Sequence, residues 1–406
     1  MVDTDFAWRL TQGLVRIDSS DPGAYESEIE RYIKALVEER LAQLSHPVLD
    51  AVQIAELEVL PGRRNLMITV PGVSDEPRLV YICHMDTVTL GDGWDADITP
   101  LGAVVRDGKL YGRGACDMKG GLACAIAALV HTLERVAADG ALPRRGFSLI
   151  CSVDEEDFMR GSEAAIDAGW VGSREWVLDT EPTDGQIQVA HKGRTWFEIE
   201  MDGVTAHASR PWKGADAVAA MAEVVCSLRR AFAALPVHNE LGPSTITFGQ
   251  IEGGYRPYVV PDHAKVWVDM RLTPPTDTAA ATRMVEQAIA VAEAAVPGCH
   301  GSYTVTGDRP AIERDPNSPL LAALKRAADD VTDADTTVGF FTGYTDTAVI
   351  AGKTGNRNCM SYGPGSLALA HKPNEYVPHA DIVRCQSVLI ALADNVLWDA
   401  SGQVGA

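Results

Sequence analysis

Three apolar runs too short for helices, Leu79 to Cys83, Phe147 to Val153 and Trp176 to Asp179, are each followed closely by histidine or acidic residues. They do not alternate apolar with polar, so they read as strands buried on both faces, which occurs when helices cover both sides of a sheet. Helical stretches lie between and before them. Gly121 to Val136 is rich in Ala and Leu, Ser162 to Ala168 is short, and residues 5–17 and 26–44 carry helical periodicity around the turn-rich Asp18-Ser19-Ser20-Asp21-Pro22-Gly23. Such alternation predicts an α/β sheet. Ligands of these sheets gather beyond the carboxyl ends of the strands. His84, Glu155 and Glu156, and Glu181 are expected there, as is Asp117 after the strand-like Lys109-Leu110-Tyr111.

From about His191 the texture changes. Thr195 to Met201 alternates like a half-exposed strand, followed by a helix over Ala215 to Leu235 and strands at Ser244 to Ile251 and His263 to Leu272. A helix from Thr276 to Ala295 and a strand near Ser302 to Thr306 complete a β-α-β-β-α-β order, which suits an α+β, ferredoxin-like domain. The α/β texture then resumes with helices over Pro319 to Asp329 and Ala380 to Leu397. The expected organisation is an interrupted first domain, residues 1–190 and 307–406, with residues 191–306 inserted.

The chain of 406 residues carries a formal charge of −21, which argues against nucleic acid and against anionic membrane surfaces. No stretch is expected to span a bilayer, and Met1 to Ser19 lacks the apolar core of a signal peptide. The eight cysteines form no C-x-x-C pair, so neither a disulfide framework nor a structural zinc is expected, and a reducing cytoplasm is the simplest home. Cys83 and Cys116 each precede a ligand candidate and read as small buried hydrophobes.

Five separated stretches carry chemistry: His84-Met85-Asp86, Gly112 to Asp117, Asp154-Glu155-Glu156, Asp179-Thr180-Glu181-Pro182 and His371-Lys372-Pro373-Asn374-Glu375. Two neighbouring metal ions need a bridging carboxylate, terminal imidazole or carboxylate ligands, and one free base. Asp117 is the bridge candidate, since one carboxylate can offer an oxygen to each ion. His84 and Glu181 would complete one site, Glu156 and His371 the other. Adjacent carboxylates at a strand end face different ways, so Glu156 can bind metal while Glu155 stays free as the base. Asp86 is placed either to hold the His84 tautomer or to cap a turn. The donor set suits two divalent ions, zinc first, with cobalt or manganese acceptable.

These stretches, in this order, resemble the M20 metallopeptidase family, which includes acetylornithine deacetylases, succinyl-diaminopimelate desuccinylases, aminoacylases and carboxypeptidase G. The resemblance implies a mixed-sheet, zinc-exopeptidase-like catalytic domain and makes the insert a lid and dimerisation domain. It repeats the ligand set above and implies a cis peptide between Asp117 and Met118. It gives His207, in Gly203 to Ser209, the task of stabilising an oxyanion in the partner subunit of a homodimer. It gives Arg271 the grip on a substrate carboxylate, and it places Gly343 and Gly365 in loops lining the substrate cleft, a plain turn being the alternative. One position departs: relatives often carry Asn where this chain has Tyr258, before Val259-Val260-Pro261, which alters the pocket expected for an α-carboxylate.

The leading expectation is a two-metal hydrolase that cleaves an amide bond of an N-acyl amino acid or small peptide, with Glu155 activating water. Tyr258 keeps open a same-fold aminohydrolase acting on an aromatic amine or carbamoyl compound. An inactive metal-binding scaffold is the third reading, and the presence of Glu155 beside all five ligand candidates weighs against it.

Overall fold

The apolar runs become the middle of an eight-stranded sheet. The computed structural model describes residues 2–398. In chain order it begins with α1 (Phe6–Val15), β1 (Ser20–Asp21), α2 (Ser27–Leu44), β2 (Gln53–Leu60) and β3 (Arg63–Val70). Then come β4 (Leu79–His84), β5 (Thr87–Val88), β6 (Val104–Arg106), β7 (Lys109–Tyr111) and the long helix α3 (Lys119–Asp139). Next are β8 (Phe147–Ser152), α4 (Arg160–Asp167), β9 (Trp176–Asp179) and β10 (Ile187–His191). The insert follows as β11 (Gly193–Asp202), α5 (Ala217–Ala233), β12 (Val237–His238), β13 (Gly242–Pro243), β14 (Thr245–Gly253), β15 (His263–Leu272), α6 (Thr278–Ala295) and β16 (His300–Arg309). The chain closes with α7 (Pro319–Thr332), β17 (Val338–Phe341), α8 (Asp346–Thr354), β18 (Cys359–Ser361), β19 (Tyr376–Pro378) and α9 (His379–Trp398).

Two compact units result. The first comprises residues 1–189, 314–341 and 345–406, the second Ala190–Glu313 with Thr342–Tyr344. The second reaches past the expected residue 306 because β16 continues to Arg309 and His191 then pairs with Ile312 in an isolated antiparallel bridge.

In the first unit the sheet order is β17-β10-β18-β9-β4-β8-β3-β2. β4 lies parallel to β8 on one side and to β9 on the other, and β3 closes on β8 antiparallel. All residues of β4, β8 and β9 are buried, as their unbroken apolar sequence requires. Helix α3 is long and apolar enough to cross a membrane, contrary to the expectation that no stretch would be. It is instead a core helix, with 72% of that apolar window buried, packing on α1, α9, β4 and β8. β7 does not join the main sheet. It pairs with β6 and β19 in a separate three-stranded sheet.

The second unit is a four-stranded antiparallel sheet of order β14-β15-β11-β16 with α5 and α6 on one face. This is the order of a ferredoxin-like domain. After the exposed His263, β15 alternates buried and half-buried residues, with Val266, Val268 and Met270 turned to the core beneath the helices. The helices start two residues later than periodicity suggests. Asp216 and Asp277, themselves extended, cap α5 and α6 by accepting from Ala219 N and Ala280 N, so the helices begin only after them.

Candidate metal centre

The strand order β9-β4-β8 sets three segments side by side at their carboxyl ends. His84 is the last residue of β4, Glu181 follows β9 by two residues, and Glu155 follows β8 by three. Asp117 arrives differently from expectation. Because β7 belongs to the small sheet, Asp117 is delivered by the glycine-rich turn that leads into α3. Gly114 lies at φ 79°, and a Cβ there would stand 2.6 Å from Thr87 Cγ2, so the close approach requires glycine. The Asp117–Met118 peptide bond is cis, as the resemblance implied. His371 comes from the segment before β19.

The two carboxylate oxygens of Asp117 face different imidazoles. Oδ1 lies 3.3 Å from His84 Nε2, which is also 3.7 Å from Glu181 Oε1. Oδ2 lies 3.4 Å from His371 Nε2, which is 2.9 Å from Glu156 Oε2. His84 is buried, whereas the His371 side chain is 54% exposed, so the site opens to solvent on the His371 side. Glu155 is buried and shares a cluster of converging ligand atoms with His84 and Glu181.

This donor set fits divalent ions. His84 Nδ1 is 3.0 Å from the main-chain carbonyl of Asp86, which keeps the proton on Nδ1 and turns the Nε2 lone pair toward Asp117 and Glu181. Nε2 of His84 and Oε1 of Glu156 are buried and make no hydrogen bond. Leaving such atoms unmade is costly unless something charged meets them.

The electrostatics are those of crowded carboxylates. Burial pushes the Glu155 carboxyl well above the usual range; His84 opposes this, while Asp346, Glu156 and Asp86 add to it. Burial, Asp117 and Glu155 likewise raise Glu181. Burial alone would raise Asp117, but the His371 and His84 imidazoles facing its two oxygens hold it well below the usual range. Asp117 and Glu156 push the His371 imidazole up to about 10.

The carbonyl of Asp86 lies nearer the His84 imidazole than its carboxylate, which is 3.6 Å from Nδ1. The carboxylate oxygens instead accept the main-chain N–H groups of Glu155 and Glu156 at 3.2 and 3.0 Å. Glu375 was visible in its stretch but without a task. Its Oε1 accepts from Cys116 N and Asp117 N, and its Oε2 from Arg113 at 2.6 Å. Cys83 and Cys116 are both buried, as read.

Gly365 lies in the first unit at φ 76°, where a Cβ would stand 2.6 Å from Cys116 Sγ. His207, Tyr258, Arg271 and Gly343 belong to the second unit. His207 and Tyr258 lie on neighbouring segments: Ala208 N donates to Tyr258 O, and Val260 N to Ala206 O. Both side chains are exposed. His207 Nδ1 accepts from Ser209 N at 3.1 Å and lies 2.8 Å from Ser209 Oγ. A neutral ring so held carries its proton on Nε2. Arg271 gives its Nε and Nη2 to the Asp269 carboxylate at 2.8 and 3.0 Å. Gly343 offers its backbone to the buried His191 imidazole.

The profile of peptidase family M20/M25/M40 matches residues 80–395. The chain belongs to this family. It is a hydrolase acting on carbon–nitrogen bonds, as the family is. Among its relatives, a probable succinyl-diaminopimelate desuccinylase of Staphylococcus epidermidis is 26% identical, over 91% of this chain and 92% of the relative. An acetylornithine deacetylase of Myxococcus xanthus is also 26% identical, over 80% of this chain and 82% of its own. The fold is shared with aminopeptidase PepT of Bacillus cereus, at a TM-score of 0.75 and 22% identity over 96% of this chain and 98% of that one. It is shared also with a dinuclear metal-binding M20 peptidase of Bacillus subtilis, at 0.71 and 17% identity over 97% and 99%.

Proposed function

We propose that this M20 protein is a two-metal amidohydrolase that cleaves an N-acyl amino acid or a small peptide. The observation that carries the reading is the division of Asp117, with Oδ1 turned to His84 and Glu181 and Oδ2 to His371 and Glu156. His84, Glu181 and Asp117 would hold one ion, and Glu156, His371 and Asp117 the other. Two divalent ions held there, zinc first, would supply Lewis-acid polarisation of the scissile carbonyl and a nucleophilic water at neutral pH.

The chain's own groups do the rest. Glu155 takes a proton from the attacking water and passes it to the leaving nitrogen, a task that its burial and raised pKa suit. His207, held by Ser209 with Nε2–H outward, is a donor for the developing oxyanion. Because Asp269 occupies the Nε–Nη2 edge of Arg271, a substrate carboxylate would meet the other edge of the guanidinium. Tyr258 lies on the segment paired with that of His207, and Gly365 would present backbone to the substrate.

We infer further that the protein is a homodimer joined through the second unit, in which His207 serves the partner's site. β14 is an edge strand whose residues Gly249–Gly253 are all exposed, an arrangement that pairing with another chain relieves. The eight free cysteines fit a cytoplasmic location.

The test is a screen of the zinc- or cobalt-loaded enzyme against N-acetyl and N-succinyl amino acids, dipeptides and arylamines. Release of a free amino acid from an acyl or peptide substrate is expected. Turnover confined to arylamines would overturn the amide reading in favour of the same-fold aminohydrolase that Tyr258 keeps open.

A further inference from the structure

Four consecutive main-chain N–H groups between β8 and α4 each donate to a buried side-chain oxygen. Val153 N donates to Asn65 Oδ1 at 3.1 Å and Asp154 N to Glu26 Oε1 at 3.1 Å. Glu155 N and Glu156 N donate to Asp86 Oδ1 and Oδ2 at 3.2 and 3.0 Å. Asn65, Glu26 and Asp86 are fully buried. A strand-to-helix connection ordinarily gives such groups to water or to other backbone. Here side chains from three other segments take them.

The topology explains how. β8 lies between β4 and β3, so Asp86, just past β4, and Asn65, on β3, reach the end of β8 from opposite sides. Glu26 comes from the residue before α2. Asn65 also donates from Nδ2 to Gly161 O at 2.7 Å, so it ties both ends of the connection. Glu26 is paired with Arg63, whose Nε donates to its Oε2 at 2.7 Å and whose Nη2 also reaches Asp21 at 2.6 Å. Asp154 itself stands at φ 65°, a left-handed conformation that Asp tolerates better than most side chains. Its carboxylate is clasped by Arg160 through two bonds of 2.5 Å.

Pinning four successive amides to acceptors on three segments restrains the rotation of the peptide planes that carry Glu155 and Glu156. We propose that Glu26 and Asn65, with Arg63 as the counter-ion of Glu26, are positioning residues. They aim the base and the adjacent ligand, although neither touches the reacting atoms. The proposal rests on the reading of Glu155 as base. A base displaced by about an ångström loses on the order of a hundredfold in rate.

The experiment compares Asn65→Leu and Glu26→Ala, which delete the acceptors, with Asn65→Asp and Glu26→Gln, which keep an oxygen for the Val153 and Asp154 N–H groups. Each zinc-loaded variant is assayed on the substrate identified in the screen, beside Glu155→Gln, with unfolding curves giving the folded fraction. The deleting variants should lose about ten- to hundredfold in kcat per folded enzyme, with KM within about twofold of wild type. The acceptor-keeping variants should recover most of that loss. Wild-type kcat in folded Asn65→Leu and Glu26→Ala, or equal losses in the acceptor-keeping pair, would overturn the proposal while an inactive Glu155→Gln leaves the base assignment standing. An active Glu155→Gln would overturn the base assignment itself, and the positioning role with it. Should the deleting variants fail to fold, the acceptor-keeping pair decides alone: near-wild-type kcat supports the role, and a large kcat loss at unchanged KM overturns it.

Discussion

The Glu375 carboxylate accepts the main-chain N–H of Asp117 at 3.1 Å, while Arg113 balances its charge. Asp117 is thus held at its backbone by a residue far along the chain. Glu375→Ala should weaken metal binding about ten- to hundredfold, the usual cost of removing such a support. Glu375→Gln, which keeps an oxygen, should cost less. Competition with a chromogenic chelator measures both, and equal affinities in all three proteins would refute the role.

Two metals per chain are expected, bridged by Asp117. Elemental analysis should find the stoichiometry reduced in Asp117→Ala, and one metal per chain in the wild type would sink the reading. Affinity should also rise with pH from 6 to 8. His371, pushed up to about 10 by Asp117 and Glu156, must release a proton before its nitrogen can coordinate.

Within the acidic pair, Glu155→Gln should abolish turnover while both metals stay bound, because an amide accepts no proton. Glu156→Gln should instead weaken one metal, since Glu156 meets His371 at 2.9 Å. Metal content and single-turnover rates distinguish the two, and the opposite pattern would reverse the assignment.

If His207 acts on the partner's site, two inactive variants should complement. Mixed His207→Ala and Glu155→Gln chains should regain up to about a quarter of wild-type activity through hybrid dimers, in which one site inherits both intact residues. Demonstrated subunit exchange with no recovered activity, or a monomer by sedimentation, would count against it.

His191 is buried in the second unit, and burial lowers its imidazole to about 4. The unfolded chain therefore binds the proton more readily. The stability His191 contributes is fully present above about 6.5 and is lost as pH falls toward 4, by up to about 3 kcal/mol. Urea unfolding at pH 7 and pH 4.5 should show a smaller pH-dependent loss in His191→Phe than in wild type. Identical losses would remove His191 from the account.

Local signals are legible in the chain itself. The apolar runs at residues 79–83, 147–153 and 176–179 state that these strands are buried on both faces, and turn and capping residues bracket the helices. The ligand candidates could be listed because His and carboxylates cluster at the ends of those runs. The apolarity of α3 was legible too, but burial as a core helix is a tertiary outcome that composition does not contain.

The supports of the site were not legible. Asn65 and Val153 are 88 positions apart, and Glu26 and Asp154 are 128 apart. A lone Asn in a strand and a lone Glu before a helix look like any surface residue. Asp117 was placed at the wrong kind of strand end for the same reason: pairing decides which sheet β7 joins. Periodicity and capping are set by neighbours a few residues away, and the sequence by itself therefore determined the elements and the candidate site residues. Which buried oxygen satisfies which amide depends on sheet order, because only packing brings β3, β4, β8 and the start of α2 together, and so the tertiary structure alone decided how the acidic pair is aimed.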